Sequence, residues 1–218
     1  MDQPSRRAFL AGSVVAVTAS AGCLGGGGAS EAPELGEIAP TSTPDTDGTL
    51  PAPVAGDPDA DVTVAVFEDY ACSHCATYSM EVFPQIASEY LEPGTIRYEF
   101  HDFPIPVDET VSWQAANAAR AVQANAGSQA FFEYSEALFA NRSTLGPSTY
   151  ADLSDTVDGG TVREAATDRT YDRTVREDRQ RGLDRGVGGT PEVFVDGSKV
   201  EGASYDAVSS AIEAARSG

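Results

Sequence analysis

Lysine is almost absent from this sequence, which has a single one, Lys199, among 218 residues. Acidic residues number 34 against 14 Lys and Arg, so the net charge is -20. Because such a surface repels phosphates, we expect no nucleic-acid partner. Cysteine is also scarce. Three cysteines cannot form a disulfide scaffold for a chain of this length, so the core must come from its apolar residues, 41% of the total.

Excess charge of one sign opposes compaction unless salt screens it, and the Debye length falls to about 3 Å at 1 M ionic strength. The acidic composition with one lysine resembles that of proteins from salt-loving archaea. An acidic protein from another habitat remains an alternative, because charge excess is a property of the surface and not of the fold.

The sequence also lacks a long apolar run. Residues 8–22 are the best candidate, but about 20 residues are needed to span a bilayer, so we predict no permanent membrane helix there. The paired Arg6 and Arg7 before this stretch resemble a twin-arginine export signal. We therefore predict a signal peptide over residues 1–22 and an exported protein.

The end of this signal, Ala21-Gly22-Cys23, resembles a lipoprotein cleavage site, which would leave Cys23 as the lipid-bearing residue. Ser20 stands where leucine is usual, so cleavage by an ordinary signal peptidase remains an alternative. Residues 23–56 are rich in Gly, Pro, Ala and acid without an apolar period, and we predict a flexible acidic linker there.

A β-α-β unit is predicted next. Residues 62–70 form a nearly continuous β-branched and aromatic run, as expected for a strand covered on both faces. Residues 72–91 repeat apolar side chains every four positions, which predicts a helix that ends before Pro93-Gly94. Residues 95–100 form the second strand, so a parallel crossover is expected.

A helical block over residues 108–187 follows, with a break between two helices at Gly127. The alternating charges of residues 161–185 predict a solvated helix face. Residues 191–202 contain an Asp-Gly turn that predicts a β-hairpin, and residues 205–216 predict a closing helix. The order β-α-β, helical insertion, β-β-α indicates an α/β fold.

Cys72 and Cys75 are separated by two residues at the predicted start of the first helix. Free backbone N–H groups at a helix start favour a thiolate, and a protonated His74 would add positive charge near the same sulfur. A metal site formed by these three residues with His101 is an alternative, and so is an inert disulfide. A c-type haem is excluded, because Ala76 stands where histidine is required.

"FEDYACSHC" and, farther along, "GVGGTPEVFVDG" together resemble the DsbA-like thiol–disulfide oxidoreductases, which have a thioredoxin-like fold. The resemblance covers residues 57–217. It implies that Cys72 is the exposed nucleophile and Cys75 the resolving thiol. His74 matches the histidine between the family's cysteines, although Ser73 replaces a proline.

The same resemblance implies that Pro191 is a cis-proline facing the sulfurs and that Thr190 offers its backbone to a substrate strand. The family often has a buried acid six residues before the nucleophile, where this chain has Val66. Glu68 or Asp69 could replace it, and the sequence does not decide between them. His101 is not assigned to the site.

We therefore expect an exported oxidoreductase on the outer face of the cell membrane, held by lipid on Cys23, that oxidises cysteines of substrate proteins. It would need no cofactor, but a membrane redox partner is expected to reoxidise it. A reductase or isomerase of the same fold is one alternative. A metal-binding or peptide-binding lipoprotein whose cysteines do not cycle is another.

Overall fold

A mixed sheet organises the part of the chain that the computed structural model describes, residues 48–218. It has five strands there, in the order β1-β3-β2-β4-β5: β1 (Val54–Gly56), β2 (Val62–Glu68), β3 (Ile96–Asp102), β4 (Glu192–Val195) and β5 (Ser198–Lys199). As predicted, β2 and β3 are parallel, and the other pairs are antiparallel. The predicted signal peptide, Cys23 and residues 24–47 of the predicted linker lie outside the described residues.

The predicted boundary between linker and domain at residue 57 is wrong, because β1 lies before it. Val54 pairs with Glu99 of β3, and Ala55 is fully buried. Farther back, the N–H of Leu50 donates to Thr174 Oγ1 at 3.1 Å. This strand has only three residues, and its backbone partners come from a distant strand, so the local sequence carries no pattern for it.

A helical segment follows β2 and covers one face of the sheet. It consists of α1 (Ser73–Thr77), a π-helical turn (Tyr78–Val82), α2 (Phe83–Ile86) and a second π-helical turn (Ala87–Leu91). Pro84 lacks a backbone N–H and interrupts regular α-helical bonding, which the wider turns accommodate. The predicted four-residue period is confirmed, since Tyr78, Ile86 and Tyr90 are buried.

The predicted helical insertion is also confirmed. It contains α3 (Glu109–Ala140), a 3-10 turn (Arg142–Thr144), α4 (Pro147–Asp152), α5 (Gly159–Asp168) and α6 (Asp172–Asp184). Gly127 breaks α3 with a φ of 87°, a conformation that favours glycine. The hairpin β4-β5 and the closing helix α7 (Tyr205–Arg216) complete the fold. Between residues 48 and 218, no helix is both long and apolar enough to cross a membrane.

A buried charge cluster joins this insertion to the sheet. Arg120 of α3 is fully buried, and it donates to Asp102 Oδ2 at 2.6 Å and to Asp178 Oδ2 at 2.5 Å. His101 Nδ1 lies 3.1 Å from Asp178 Oδ1. The predicted solvated face is therefore wrong at Asp178, which is 3% exposed. A buried guanidinium needs such carboxylate partners, and α6 supplies one of them.

Candidate active site

A tight turn after β2 places Cys72 at the start of α1. The N–H of Cys72 donates to the carbonyl of Asp69 at 3.0 Å, and the N–H of Ala71 donates to Asp69 Oδ1 at 2.7 Å. Cys72 is the N-cap residue, with extended backbone angles of φ -78° and ψ 125°. Its sulfur therefore faces the free N–H groups of the first helical turn, as predicted.

The two thiols differ in accessibility. Both are free, but Cys72 is 5% exposed whereas Cys75 is 0% exposed. Ser73 and His74, the residues between them, are exposed. The N–H of Asp69 donates to Cys75 Sγ at 3.4 Å, which fixes the buried sulfur beneath the turn. The expectation of an exposed nucleophile is therefore wrong for this structure, because Cys72 is buried, although less completely than Cys75.

The thiols also differ in acidity. A hydrogen bond from the Cys75 thiol is the largest influence on Cys72 and, against the effect of burial, lowers its pKa to about 4. Thr190 and the main-chain N–H groups of Cys75 and His74 act in the same direction. The reduced protein therefore carries a thiolate at Cys72 at neutral pH, which is the nucleophilic form.

Cys75 is shifted in the opposite direction. Burial, the hydrogen bond with Cys72 and the nearby Glu68 carboxyl raise its pKa far above the ordinary value of 9.0. In the reduced pair, Cys72 thus carries the negative charge and Cys75 carries the proton. Such a difference is expected where one cysteine attacks and the other resolves.

His74 influences Cys72 through a different group from the one predicted. Its main-chain N–H is among the groups that lower the pKa of Cys72, while its imidazole lies on an exposed residue. The sequence analysis attributed the influence of His74 on the pKa of Cys72 to the charge of its ring. The role of that ring in catalysis stays a prediction.

The loop before β4 brings Thr190 and Pro191 against the cysteines. The Thr190–Pro191 peptide bond is cis, as the resemblance implied. Cys72 Sγ lies 3.4 Å from the Thr190 carbonyl oxygen, to which only its protonated form can donate. Gly188 and Gly189 just before them are exposed, and the N–H of Gly188 donates to Glu192 Oε2 at 3.2 Å. The loop is therefore anchored and accessible beside the nucleophile.

The Thr190 hydroxyl faces both sulfurs. Its Oγ1 is buried and makes no hydrogen bond of ordinary geometry within residues 48–218. It lies near enough to the sulfurs to lower the pKa of Cys72 and, to a smaller extent than burial raises it, the pKa of Cys75. This side-chain contribution was not anticipated, because the sequence analysis assigned Thr190 a role through its backbone alone.

The structure separates the two candidate acids. Both oxygens of the Asp69 carboxylate are occupied, since Oδ1 accepts from Ala71 and Oδ2 accepts from the N–H of Ile105 and from Ser112 Oγ. Glu68 is 2% exposed, and its Oε2 has no hydrogen-bond partner in the described part of the chain. Asp69 therefore stabilises the turn before Cys72, whereas the carboxyl of Glu68 is available for proton transfer.

Strand geometry explains why Glu68 is well placed. Alternate residues of a strand point to the same face, so Glu68 shares a face of β2 with Val66, where the family often has its acid. Burial, followed by the Cys72 thiolate, raises the pKa of Glu68 well above the ordinary 4.5. A protonated carboxyl group can donate its proton to a neighbouring sulfur.

Arg142 is a neighbour of the site that the sequence analysis missed. Its Nη1 donates to the carbonyl oxygen of Ala71 at 3.2 Å, so the insertion is tied to the residue just before Cys72. No local pattern marks this arginine, which lies in a 3-10 turn far along the chain. Only the tertiary fold brings it to the cysteines.

The four residues considered as metal ligands are not gathered together. His101 is buried against Asp178, on a different element from the cysteines. Within residues 48–218, no group of three or more His, Cys, Asp or Glu side chains is arranged to hold a metal ion.

Comparisons with known proteins agree with this geometry. A family model described as thioredoxin matches residues 49–214. Disulfide bond formation protein D of Bacillus subtilis is 25% identical over 170 residues, covering 74% of this chain and 75% of that protein. Oxidised BdbD from Bacillus subtilis superposes with a TM-score of 0.71 at 25% identity, covering 84% of this chain and 100% of that one.

Chlamydia trachomatis DsbA shares the fold, with a TM-score of 0.70 at 22% identity over 76% of this chain and 92% of that one. The α/β fold predicted from the sequence and its resemblance to DsbA-like proteins are thus confirmed. On the match over residues 49–214, the chain belongs to the thioredoxin family.

Proposed function

We propose that this protein is an extracytoplasmic thiol–disulfide oxidoreductase that transfers its Cys72–Cys75 disulfide to cysteine pairs of substrate proteins. The observation that carries this proposal is the opposite shift of the two thiol pKa values. A stabilised thiolate favours the reduced pair, and each tenfold change in that equilibrium raises the potential by about 30 mV. The pair should therefore act as an oxidant.

The first step begins with a substrate thiolate, which attacks Cys72 Sγ of the disulfide. The new sulfur–sulfur bond joins substrate and Cys72, while the Cys72–Cys75 bond breaks and its electron pair stays on Cys75. The Cys75 sulfur then takes up a proton, as its raised pKa requires. Attack is assigned to Cys72 because it is the less buried of the two cysteines, 5% exposed against 0% for Cys75.

In the second step, the substrate's other thiolate attacks the substrate sulfur of the mixed disulfide. Cys72 leaves as a thiolate, and its pKa of about 4 makes it a good leaving group. The substrate loses two electrons and gains a disulfide, and the protein gains those electrons as a Cys72 thiolate and a Cys75 thiol. An external electron acceptor, such as a membrane redox partner, must then reoxidise the pair.

Glu68 supplies the proton to Cys75 in this scheme. Burial raises the pKa of its carboxyl, which favours the protonated form. The carboxyl also influences the pKa of Cys75 and has an oxygen without a partner in the described region. Asp69 cannot take this part easily, since its carboxylate accepts three hydrogen bonds.

The cellular location is proposed from the sequence. Arg6 and Arg7 favour export, and Cys23 is the proposed lipid attachment residue on the outer face of the membrane. One lipid chain binds a membrane only marginally, so a two-chain lipid or a second contact would be needed for stable anchoring.

Cysteine substitutions test the proposed activity. In the full chain with Cys23→Ser, which removes the third thiol, Cys72→Ser should abolish oxidation of a fluorescent dithiol peptide. Cys75→Ser, given the disulfide form of the peptide, should instead accumulate the mixed disulfide with Cys72, visible by mass spectrometry, because the thiol that would resolve it is missing. Oxidation by the Cys72→Ser protein at the normal rate would disprove the proposal. Metal analysis of the purified protein tests the alternative of a metal-binding lipoprotein, which predicts a bound ion in stoichiometric amount.

A further inference from the structure

The cis-proline loop, residues 188–191, begins with two glycines that side-chain packing does not restrain. Gly188 and Gly189 are exposed, and a Cβ atom on either one would meet no atom of the described residues within 4 Å beyond its chain neighbours. Val187, just before them, is buried among aromatic residues, so the packed core ends where the loop begins. Glycine also has the greatest backbone freedom of any residue. The shape of the loop must therefore depend on hydrogen bonds.

Glu192, the first residue of β4, supplies such a hydrogen bond. The N–H of Gly188 donates to Glu192 Oε2 at 3.2 Å, and this contact spans the cis Thr190–Pro191 bond. Within residues 48–218, it is the only main-chain N–H of the loop that has an acceptor. Glu192 itself pairs with Phe67 of β2, so the acceptor stands on the central sheet. The bond thus ties the loop to a rigid strand.

Lys199, the single lysine of the sequence, binds the other oxygen of the same carboxylate. Its Nζ lies 2.5 Å from Glu192 Oε1, so the two oxygens of Glu192 have different partners. The register of the hairpin explains this pair, because Lys199 of β5 lies opposite Phe194 of β4. Glu192 shares a sheet face with Phe194, two residues on, and long side chains reach such diagonal neighbours. The hairpin therefore orients the carboxylate toward the loop.

The tie reaches the nucleophile through Thr190. The carbonyl oxygen of Thr190 lies 3.4 Å from Cys72 Sγ. Gly188 and Glu192 stand on either side of Thr190 in the chain, so their hydrogen bond fixes both ends of the segment that makes this contact. A segment that is already ordered loses less conformational entropy when a peptide binds to it than a mobile one does.

We propose that Glu192 is a positioning residue for protein substrates, whose carboxylate, oriented by Lys199, holds the cis-proline loop ready for an extended polypeptide beside Cys72. The inference rests on the proposed function and adds a determinant of substrate binding to it. Glu192 acts on the binding of a polypeptide and not on the exchange of thiols. A small dithiol, which needs only the sulfurs, does not depend on it.

Glu192→Met tests the proposal, because it removes the acceptor and keeps the length of the side chain. In the full chain with Cys23→Ser, single-turnover oxidation of the fluorescent dithiol peptide at varied concentration separates KM from kcat. KM should rise about tenfold, which corresponds to about 1.4 kcal/mol and lies in the range of one hydrogen bond. The value of kcat should stay within about twofold of wild type, since the bound geometry is the same. Oxidation of dithiothreitol should keep its wild-type rate.

Three further variants separate positioning from a general loss of structure. Glu192→Gln should keep KM within about twofold of wild type, because its amide oxygen can still accept from Gly188. Lys199→Met should raise KM about threefold alone and not at all in Glu192→Met, because the ammonium acts through the carboxylate. Glu213→Met, which removes a surface carboxylate paired with Arg216 on α7, is the matched control and should change neither constant.

The proposal is wrong if Glu192→Met keeps the wild-type KM for the peptide, or if it slows oxidation of the peptide and of dithiothreitol equally. Should Glu192→Met fail to fold, Glu192→Asp withdraws the carboxylate by one methylene group and carries the same expectation. Either of those contrary results leaves oxidation dependent on Cys72, whereas failure of the proposed function appears as activity in Cys72→Ser. The two failures are therefore distinguishable.

Discussion

Cys72 Sγ lies 3.4 Å from the Thr190 carbonyl oxygen, and this contact joins the start of α1 to the cis-proline loop. This contact puts the nucleophile beside an exposed, glycine-rich segment where an extended substrate can lie. It also brings the Thr190 hydroxyl near the sulfurs, where the side chain contributes to the lowered pKa of Cys72.

Replacing Thr190 by valine should therefore make Cys72 less acidic. Loss of the hydroxyl should raise the pKa of Cys72, because the Thr190 side chain is among the groups that lower it; a rise of about one unit would correspond to about 1.4 kcal/mol. The disulfide becomes less oxidising, because the reduced thiolate loses stabilisation. The pH dependence of Cys72 alkylation measures the shift.

Thr77→Val is the matched control, because the Thr77 hydroxyl donates to the Ser73 carbonyl and lies outside the site. Its alkylation profile should keep the wild-type midpoint near pH 4. An unchanged midpoint in Thr190→Val would show that the hydroxyl does not lower the pKa of Cys72.

Glu68→Gln and Asp69→Asn should affect different properties, the first the reaction rate and the second the stability of the fold. Glu68→Gln should slow resolution of the mixed disulfide by Cys75, the reverse of the first step, about 100-fold, because the carboxylate that accepts the Cys75 proton is lost. Asp69→Asn should instead destabilise the fold by about 2–3 kcal/mol, because it weakens hydrogen bonds from Ala71, Ile105 and Ser112. Stopped-flow kinetics and chemical denaturation separate the two effects. Slow resolution in a stable Asp69→Asn protein, with normal Glu68→Gln kinetics, would reverse the assignment.

Arg120→Met should cost about 3–5 kcal/mol of unfolding free energy, because it leaves Asp102 and Asp178 buried without their partner. Arg216→Met removes a surface pair with Glu213 and should cost below about 1 kcal/mol. Denaturation in high salt, followed by the fluorescence of the single tryptophan, Trp113, compares them. Equal costs would mean that the buried cluster does not hold the insertion to the sheet.

His101 should stabilise the protein most at acidic pH. Burial lowers its pKa, but Asp178 and Glu99 outweigh burial and raise it above the ordinary 6.5. A raised folded-state pKa gives stability that is complete below about pH 6.5 and is lost as the pH rises through the folded value. The difference in unfolding free energy between wild type and His101→Asn should therefore shrink with rising pH.

Two other ionisable groups bear on the measurement of His101. Asp102, in the same cluster, has a pKa raised by burial to about 6, and Arg181 Nη1 lies 3.5 Å from His101 Nδ1. His101 lowers the pKa of Asp102, so the difference between the two proteins includes the effect of the histidine on that carboxyl. A difference for His101→Asn that grows above pH 7 would contradict the raised pKa.

Local patterns were sufficient for most of the fold. The apolar run of β2, the four-residue period after Cys72 and the Asp-Gly turn each predicted an element that the structure contains. β1 was missed because its three residues lie in a Pro- and Gly-rich stretch and are held by backbone bonds to β3. A strand stabilised only by a distant partner leaves no periodic signal.

The site was predictable where chemistry lies in a motif and unpredictable where it depends on packing. Cys72, Cys75 and the Thr190–Pro191 pair were identified as residues, but the choice between Glu68 and Asp69 needed their hydrogen bonds. Arg120 did carry a signal that was overlooked. It is a charged residue within the alanine-rich buried face of α3, which indicates a buried ionic partner.

The reduction potential of the Cys72–Cys75 pair tests the central claim most directly. It should be measured by equilibration with glutathione in high salt, on the full chain with Cys23→Ser. We predict a value well above that of thioredoxin, about -270 mV, and nearer the strong oxidants at about -120 mV. A value at or below the thioredoxin level would contradict the account and favour a reductase or isomerase with its own electron supply.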